Sequence, residues 1–231
     1  MAKVAVVAGV GPGNGAAMVR RFRAAGYEVA MLARSRDALD ALAAETGARG
    51  YVCDVASPDE VAAAFAAIRG EIGEVEALIY NAGAGMFGDV EAITPGQFET
   101  AWRVNAYGGL LCSQAVIPAM KAAKRGQIVF IGATASRRGG PRSAAFAPAK
   151  AAQRALAESM ARSLWPHGIH VALVIVDGVV DLQRTRARMP DKPDSFFIKP
   201  EGVAETVFQL VAQDPSAWSF EVEARPFGET W

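Results

Sequence analysis

Apolar residues occur in short unbroken runs, separated by stretches where they recur every three or four positions. Residues 4–8 (VAVVA) are apolar throughout, and glycines then crowd at 9, 11, 13 and 15. A continuous apolar run ending in such a turn predicts a strand buried on both faces, followed by a tight loop. Helical spacing over 16–25 predicts that the loop opens a helix. The alternation continues with strands at 29–33, 51–55, 77–80, 128–133, 169–176 and 220–224. Between and after them, helices are predicted at 36–46, 57–72, 94–112, 143–165 and 200–212. The punctuation agrees: Ser35, Ser57 and Thr94 stand as caps, with Pro58 and Pro95 at first helical positions and Glu60 placed to reach back to Ser57. Residues 182–199 (LQRTRARMPDKPDSFFIK) break the pattern, being charged with two prolines. A segment of that kind after a strand is a candidate lid, or a plain surface excursion.

Strand and helix in strict alternation predict an α/β fold. It would be a single-domain, Rossmann-like, doubly wound parallel sheet over 1–231 with helices on both faces. Ligand is then expected beyond the C-terminal ends of the strands. The residues there are Gly9, Gly11, Pro12, Gly13, Asn14 and Gly15 after the first strand, and Arg34 after the second. Asp54 and Val55, then Asn81, Ala82 and Gly83, follow the third and fourth. Ala133 and Thr134, then Asp177 and Gly178, follow the fifth and sixth. A strand, glycine turn and helix suit a dinucleotide, because the helix start offers backbone N–H groups to a pyrophosphate. At the end of the second strand an acid would favour NAD(H) and a cation NADP(H); residue 34 is Arg, so NADP(H) is favoured over NAD(H).

Composition narrows the partners. With 231 residues, 52% of them hydrophobic, the chain can bury one large core. The charge balance, 24 basic against 24 acidic residues, steers it to neither nucleic acid nor an anionic membrane. Cys53 and Cys112 lie in apolar runs and read as reduced, buried residues with no metal site. The start lacks the look of a signal peptide and no apolar run reaches a membrane span, so a soluble cytoplasmic protein is expected.

The ordered motifs resemble the short-chain dehydrogenase/reductase family over nearly the whole chain. Gly9, Gly13 and Gly15 match its TGxxxGxG turn, with Ala8 for the threonine. Asn81-Ala82-Gly83 match its NAG, with Tyr80 before them. Asp54 matches the acid near the adenine, and Gly178 the glycine of its PG turn. The resemblance implies that Asn105 helps hold a proton-relay water and that Lys150 binds the nicotinamide ribose. It also implies homodimers or homotetramers paired through the helix at 143–165 and its neighbour.

The family's catalytic tyrosine falls on Phe146 and its serine on Ala133, while Asp177 and Leu182 replace a proline and a threonine. Phenylalanine has no proton to give and alanine no hydrogen bond to make. The reading is an NADP(H)-dependent oxidoreductase acting on a small carbonyl or imine-type substrate by a non-standard proton route. Asn105 and Lys150 are its catalytic residues, and Ala133, Thr134 and Phe146 line its substrate pocket. Thr134, Ser136, Ser143, Tyr107, Asp177 and Lys150 are the alternative proton sources. A cationic iminium would need no donor. A non-catalytic dinucleotide sensor or subunit is the alternative. The aromatic tail at 219–231 would dock on a partner subunit or close over the site.

Overall fold

In the computed structural model, which describes residues 2–228, strands and helices alternate as the pattern predicts. β1 (Val4–Ala8) leads to α1 (Asn14–Ala24), β2 (Glu28–Ala33) to α2 (Arg36–Thr46), and β3 (Arg49–Val52) to α3 (Pro58–Glu71). β4 (Val75–Tyr80) leads to α4 (Pro95–Trp102) and α5 (Gly108–Ala123), and β5 (Gly126–Ala133) to α6 (Phe146–Leu164). After β6 (Ile169–Val176) come β7 (Val179–Val180), α7 (Gln183–Arg188), β8 (Phe197–Ile198), α8 (Pro200–Val211) and β9 (Glu221–Ala224).

Among the described residues, seven strands form one sheet in the order β3-β2-β1-β4-β5-β6-β9, every pair parallel. The chain runs outward from β1 to β3, then crosses back to β4, so the strand order reverses beside β1. The cleft at that reversal is where open α/β sheets bind ligands. β6 (IHVALVIV) is buried along its whole length, as a central parallel strand must be. One apolar layer, with Phe65, Ile68, Cys112 and Met160, fills the space under α3, α5 and α6. The other, with Met18, Phe22, Leu39 and Val207, lies under α1, α2 and α8. Each fully buried Phe, Met or Leu contributes roughly 1.5–3 kcal/mol of transfer free energy.

The caps form at Ser35 and Ser57, whose hydroxyls accept from the Ala38 and Glu60 N–H groups. Thr94 and Gln97 make a reciprocal capping box at the start of α4. Glu60 does not reach Ser57; it accepts the Asp54 N–H at 2.9 Å. β3 runs over 49–52, not 51–55, which leaves Asp54 and Val55 in the following turn. There the Asp54 carboxylate accepts the Ala56 N–H at 2.9 Å. The helix expected over 94–112 is interrupted by a π turn at Arg103–Tyr107, where the Gly108 N–H reaches the Arg103 carbonyl. Side chains draw on the carbonyls of this stretch: Tyr80 donates to Val104 at 2.5 Å and Asn105 to Ala101 at 2.8 Å. α6 starts at Phe146, not 143, because the Ser143 hydroxyl is spent in a turn with Gly140.

Residues 182–199 are more ordered than their composition predicts. They hold α7, and β7 pairs with β8 across the segment. Arg186 bridges Asp181 and Asp194. The described part of the tail pairs β9 with β6, and Gly228 abuts Ser195. Residues 229–231 lie outside the described residues. Among the described residues, no helix is long and apolar enough to cross a membrane.

Candidate active site

The glycine turn is built for close approach. Gly9 has φ of +92°, and a Cβ there would collide with the Ala82 backbone. A Cβ on Gly15 would lie 2.7 Å from the Gly9 carbonyl. The Gly9 and Val10 N–H groups bind the Leu32 carbonyl, tying the turn to the end of β2. Asn81 donates from Nδ2 to the Gly9 carbonyl at 2.7 Å, tying it to the end of β4. Gly11 faces open space and Pro12 is exposed. α1 begins after Gly13 with no side-chain cap and no acid in its first turn. The Asn14 Oδ1 is buried without a partner among the described residues. An uncapped positive helix end beside a glycine cradle fits the pyrophosphate of a dinucleotide.

Arg34 stands exposed where β2 ends, with no ion pair among the described residues. Asp54 and Val55 flank the same edge at the end of β3. Val55 packs so tightly on α5 that a Cβ on Gly108 would lie 2.7 Å from its carbonyl. These groups and the glycine turn line one edge of the sheet.

Around the fifth and sixth strands the polar groups are largely spent on one another. The Thr134 hydroxyl donates to Asp177, and Arg225 donates to the same carboxylate from the far side. Ser136 accepts the Ala133 N–H at 3.1 Å. Gly178 follows in the turn to β7. Leu182 reaches over the glycine turn, so that a Cβ on Gly13 would lie 2.7 Å from its Cδ2.

Phe146 is half-buried, its ring centroid 5.0 Å from that of the exposed Phe87. Lys150 lies one turn further along α6, with its ammonium 6.0 Å from the Phe146 ring. It is 5% exposed and donates to the Ile131 carbonyl at 2.8 Å and to Gln153 Oε1 at 3.1 Å. Burial pulls its pKa down to about 7. Asn105 is fully buried; its Nδ2 donates to the Ala84 and Ala101 carbonyls, and its Oδ1 has no partner among the described residues. Gly83 sits between them, since a Cβ there would lie 3.2 Å from Asn105 Oδ1 and 3.8 Å from Lys150 Nζ.

The sequence reading missed Gln153 and Arg225. Gln153 has a signal in retrospect: it shares the sheet-facing stripe of α6 with Ala149, Ala157 and Met160, where a polar residue needs a partner. Arg225 carries none, because only the pairing of β9 with β6 brings it to Asp177. The buried thiols of Cys53 and Cys112 have raised pKa values, Cys53 to about 11. They behave as small apolar residues.

Known proteins share this architecture. A family model described as short chain dehydrogenase matches residues 3–192. A short-chain dehydrogenase from Rhodopseudomonas palustris is 36% identical and superposes with a TM-score of 0.83, covering 98% of this chain and 99% of that one. A metagenomic short-chain oxidoreductase solved in complex with NADP is 30% identical with a TM-score of 0.85, covering 98% of each chain. Among curated proteins, acetoacetyl-CoA reductase of Paracoccus denitrificans is 30% identical over 224 residues, 93% of this chain and 92% of that protein.

Proposed function

This chain belongs to the short-chain dehydrogenase family and is an NAD(P)-dependent oxidoreductase, and we propose that it uses NADP(H) to reduce a small carbonyl or imine-type substrate by a non-standard proton route. Gly9, Gly11, Pro12, Gly13, Asn14 and Gly15 would hold the pyrophosphate, and Arg34 the 2′-phosphate. Asp54 and Val55 would flank the adenine, with Asn81, Ala82, Gly83, Asp177 and Gly178 along the rest of the cleft. When bound, the nicotinamide supplies the hydride. Lys150 would hold the adjoining ribose and, with Asn105, form the catalytic pair. Ala133, Thr134 and Phe146 would wall the substrate pocket, and residues 182–199 would close over it, Leu182 already resting on the glycine turn. We further propose that the protein acts in the cytoplasm as a homodimer or homotetramer paired through α6 and α5.

One observation carries the proton route. The Lys150 ammonium lies beside Phe146, uses two of its three donors on fixed acceptors, and is brought by burial to a pKa of about 7. A group poised near neutral pH is an efficient acid. Thr134 and Asp177, the other candidates beside β6, are engaged with each other and with Arg225. The half-exposed Phe146–Phe87 pair supports the imine arm of the reading, because ring faces attract a cation.

The test is a tryptophan-fluorescence titration with NADPH and, separately, NADH. NADPH should bind at least about tenfold more tightly, in keeping with a charge-assisted contact worth roughly 1.5–3 kcal/mol. Arg34→Ala should erase that preference. Equal affinities for the two dinucleotides, or an unchanged preference in Arg34→Ala, would overturn the assignment to NADP(H). Loss of NADPH absorbance with small ketones and cyclic imines then reports the substrate class.

A further inference from the structure

Gln153 is fully buried in α6, one turn after Lys150. Its Oε1 accepts from Lys150 Nζ at 3.1 Å and its Nε2 donates to the Asn105 carbonyl at 2.9 Å. That orientation follows from chemistry, since an ammonium can only donate and a carbonyl only accept. With Ile131 as its second acceptor, Lys150 has one N–H left. Both Asn105 amide protons are spent, and its Oδ1 is a buried orphan. The free N–H and the orphan oxygen border the same point at Gly83, which is exposed. On the other side, an amide that neither gains nor loses a proton near neutral pH fills the space between Lys150 and the π turn.

We propose that Gln153 is a positioning residue that locks the Lys150 ammonium and closes it off from the π-turn backbone, so that Lys150 exchanges protons on the side where exposed Gly83 meets the Asn105 Oδ1. The proposal rests on Lys150 as the acid of the reading above. Its test needs neither cofactor nor substrate, so the two fail separately. The groups facing Lys150 are the Ile131 carbonyl from β5, Gly83 from the loop after β4, Asn105 from the π turn, and Phe146 and Gln153 from α6. None of these ionises, and among the described residues no ion pair reaches Lys150.

Protein labelled with 15N at the lysine side chains gives the readout, with the Lys150 signal assigned by its absence in Lys150→Met. Gln153→Glu keeps the reach but sets a carboxylate against the ammonium. The Lys150 titration midpoint should rise by at least about one pH unit. Gln153→Leu fills similar space without an acceptor, and the midpoint should fall. Either variant decides the positioning claim. Gln153→Ala leaves room for a water beside Lys150. Below the midpoint, its ammonium protons should then exchange with solvent at least about tenfold faster, in keeping with the loss of a buried contact. An unmoved midpoint in folded Gln153→Glu or Gln153→Leu would reduce Gln153 to packing and overturn the proposal. An unchanged exchange rate in folded Gln153→Ala would overturn the closure.

Discussion

A ketone that accepts hydride becomes an alkoxide, and the alkoxide must find a proton. Ala133 and Phe146 supply neither a proton nor a hydrogen bond to the developing charge. The nearby Thr134 hydroxyl does not fill the gap, because its proton is given to Asp177. Donor and oxyanion contact are each worth about 10²–10⁴ in rate. If the pocket is otherwise that of a carbonyl reductase, Ala133→Ser with Phe146→Tyr should raise kcat/KM for small ketones with NADPH by about two orders of magnitude. The measurement is NADPH consumption by the double variant against the parent. No gain would assign the pocket to substrates that need no donor, with cyclic iminium ions first among them.

Local physics made most elements legible in the sequence. Buried parallel strands read as apolar runs, and the Ser35, Ser57 and Thr94 caps fixed three helix starts. The π turn was not legible, because it coincides with Tyr80 reaching the Val104 carbonyl, which only the folded chain brings near. The order within 182–199 was hidden for a similar reason. Its charge and prolines read as a lid or a surface excursion, yet Arg186 joins Asp181 to Asp194 across the segment. Exposed ion pairs add little to stability. Arg186→Ala should therefore move Tm by no more than a few degrees. It should nevertheless loosen the segment, seen as faster tryptic cleavage after Arg184 and Arg188. For a segment that closes over the cofactor, NADPH should restore protection. Cleavage insensitive to NADPH would make 182–199 a surface excursion.

At the scale of the whole molecule, the buried lysine links the site to folding. Burial lowers the pKa of Lys150 from 10.5 to about 7 in the native state. Between those values the unfolded chain binds a proton that the folded one does not. Stability therefore rises with pH across this window, and the cost of burying the ammonium is fully felt below about pH 7. One proton of difference corresponds to a slope of about 1.4 kcal/mol per pH unit. Lys150→Met removes the titrating group while keeping a long side chain in the slot. Urea unfolding at intervals from pH 6.5 to 10 should show a parent curve steeper than the variant's by close to that slope, at most. The cysteines and tyrosines that also titrate there are common to both proteins and cancel in the difference. Parallel curves would mean that Lys150 keeps its ordinary proton affinity when folded, and the acid at the centre of the proposed proton route would be lost with it.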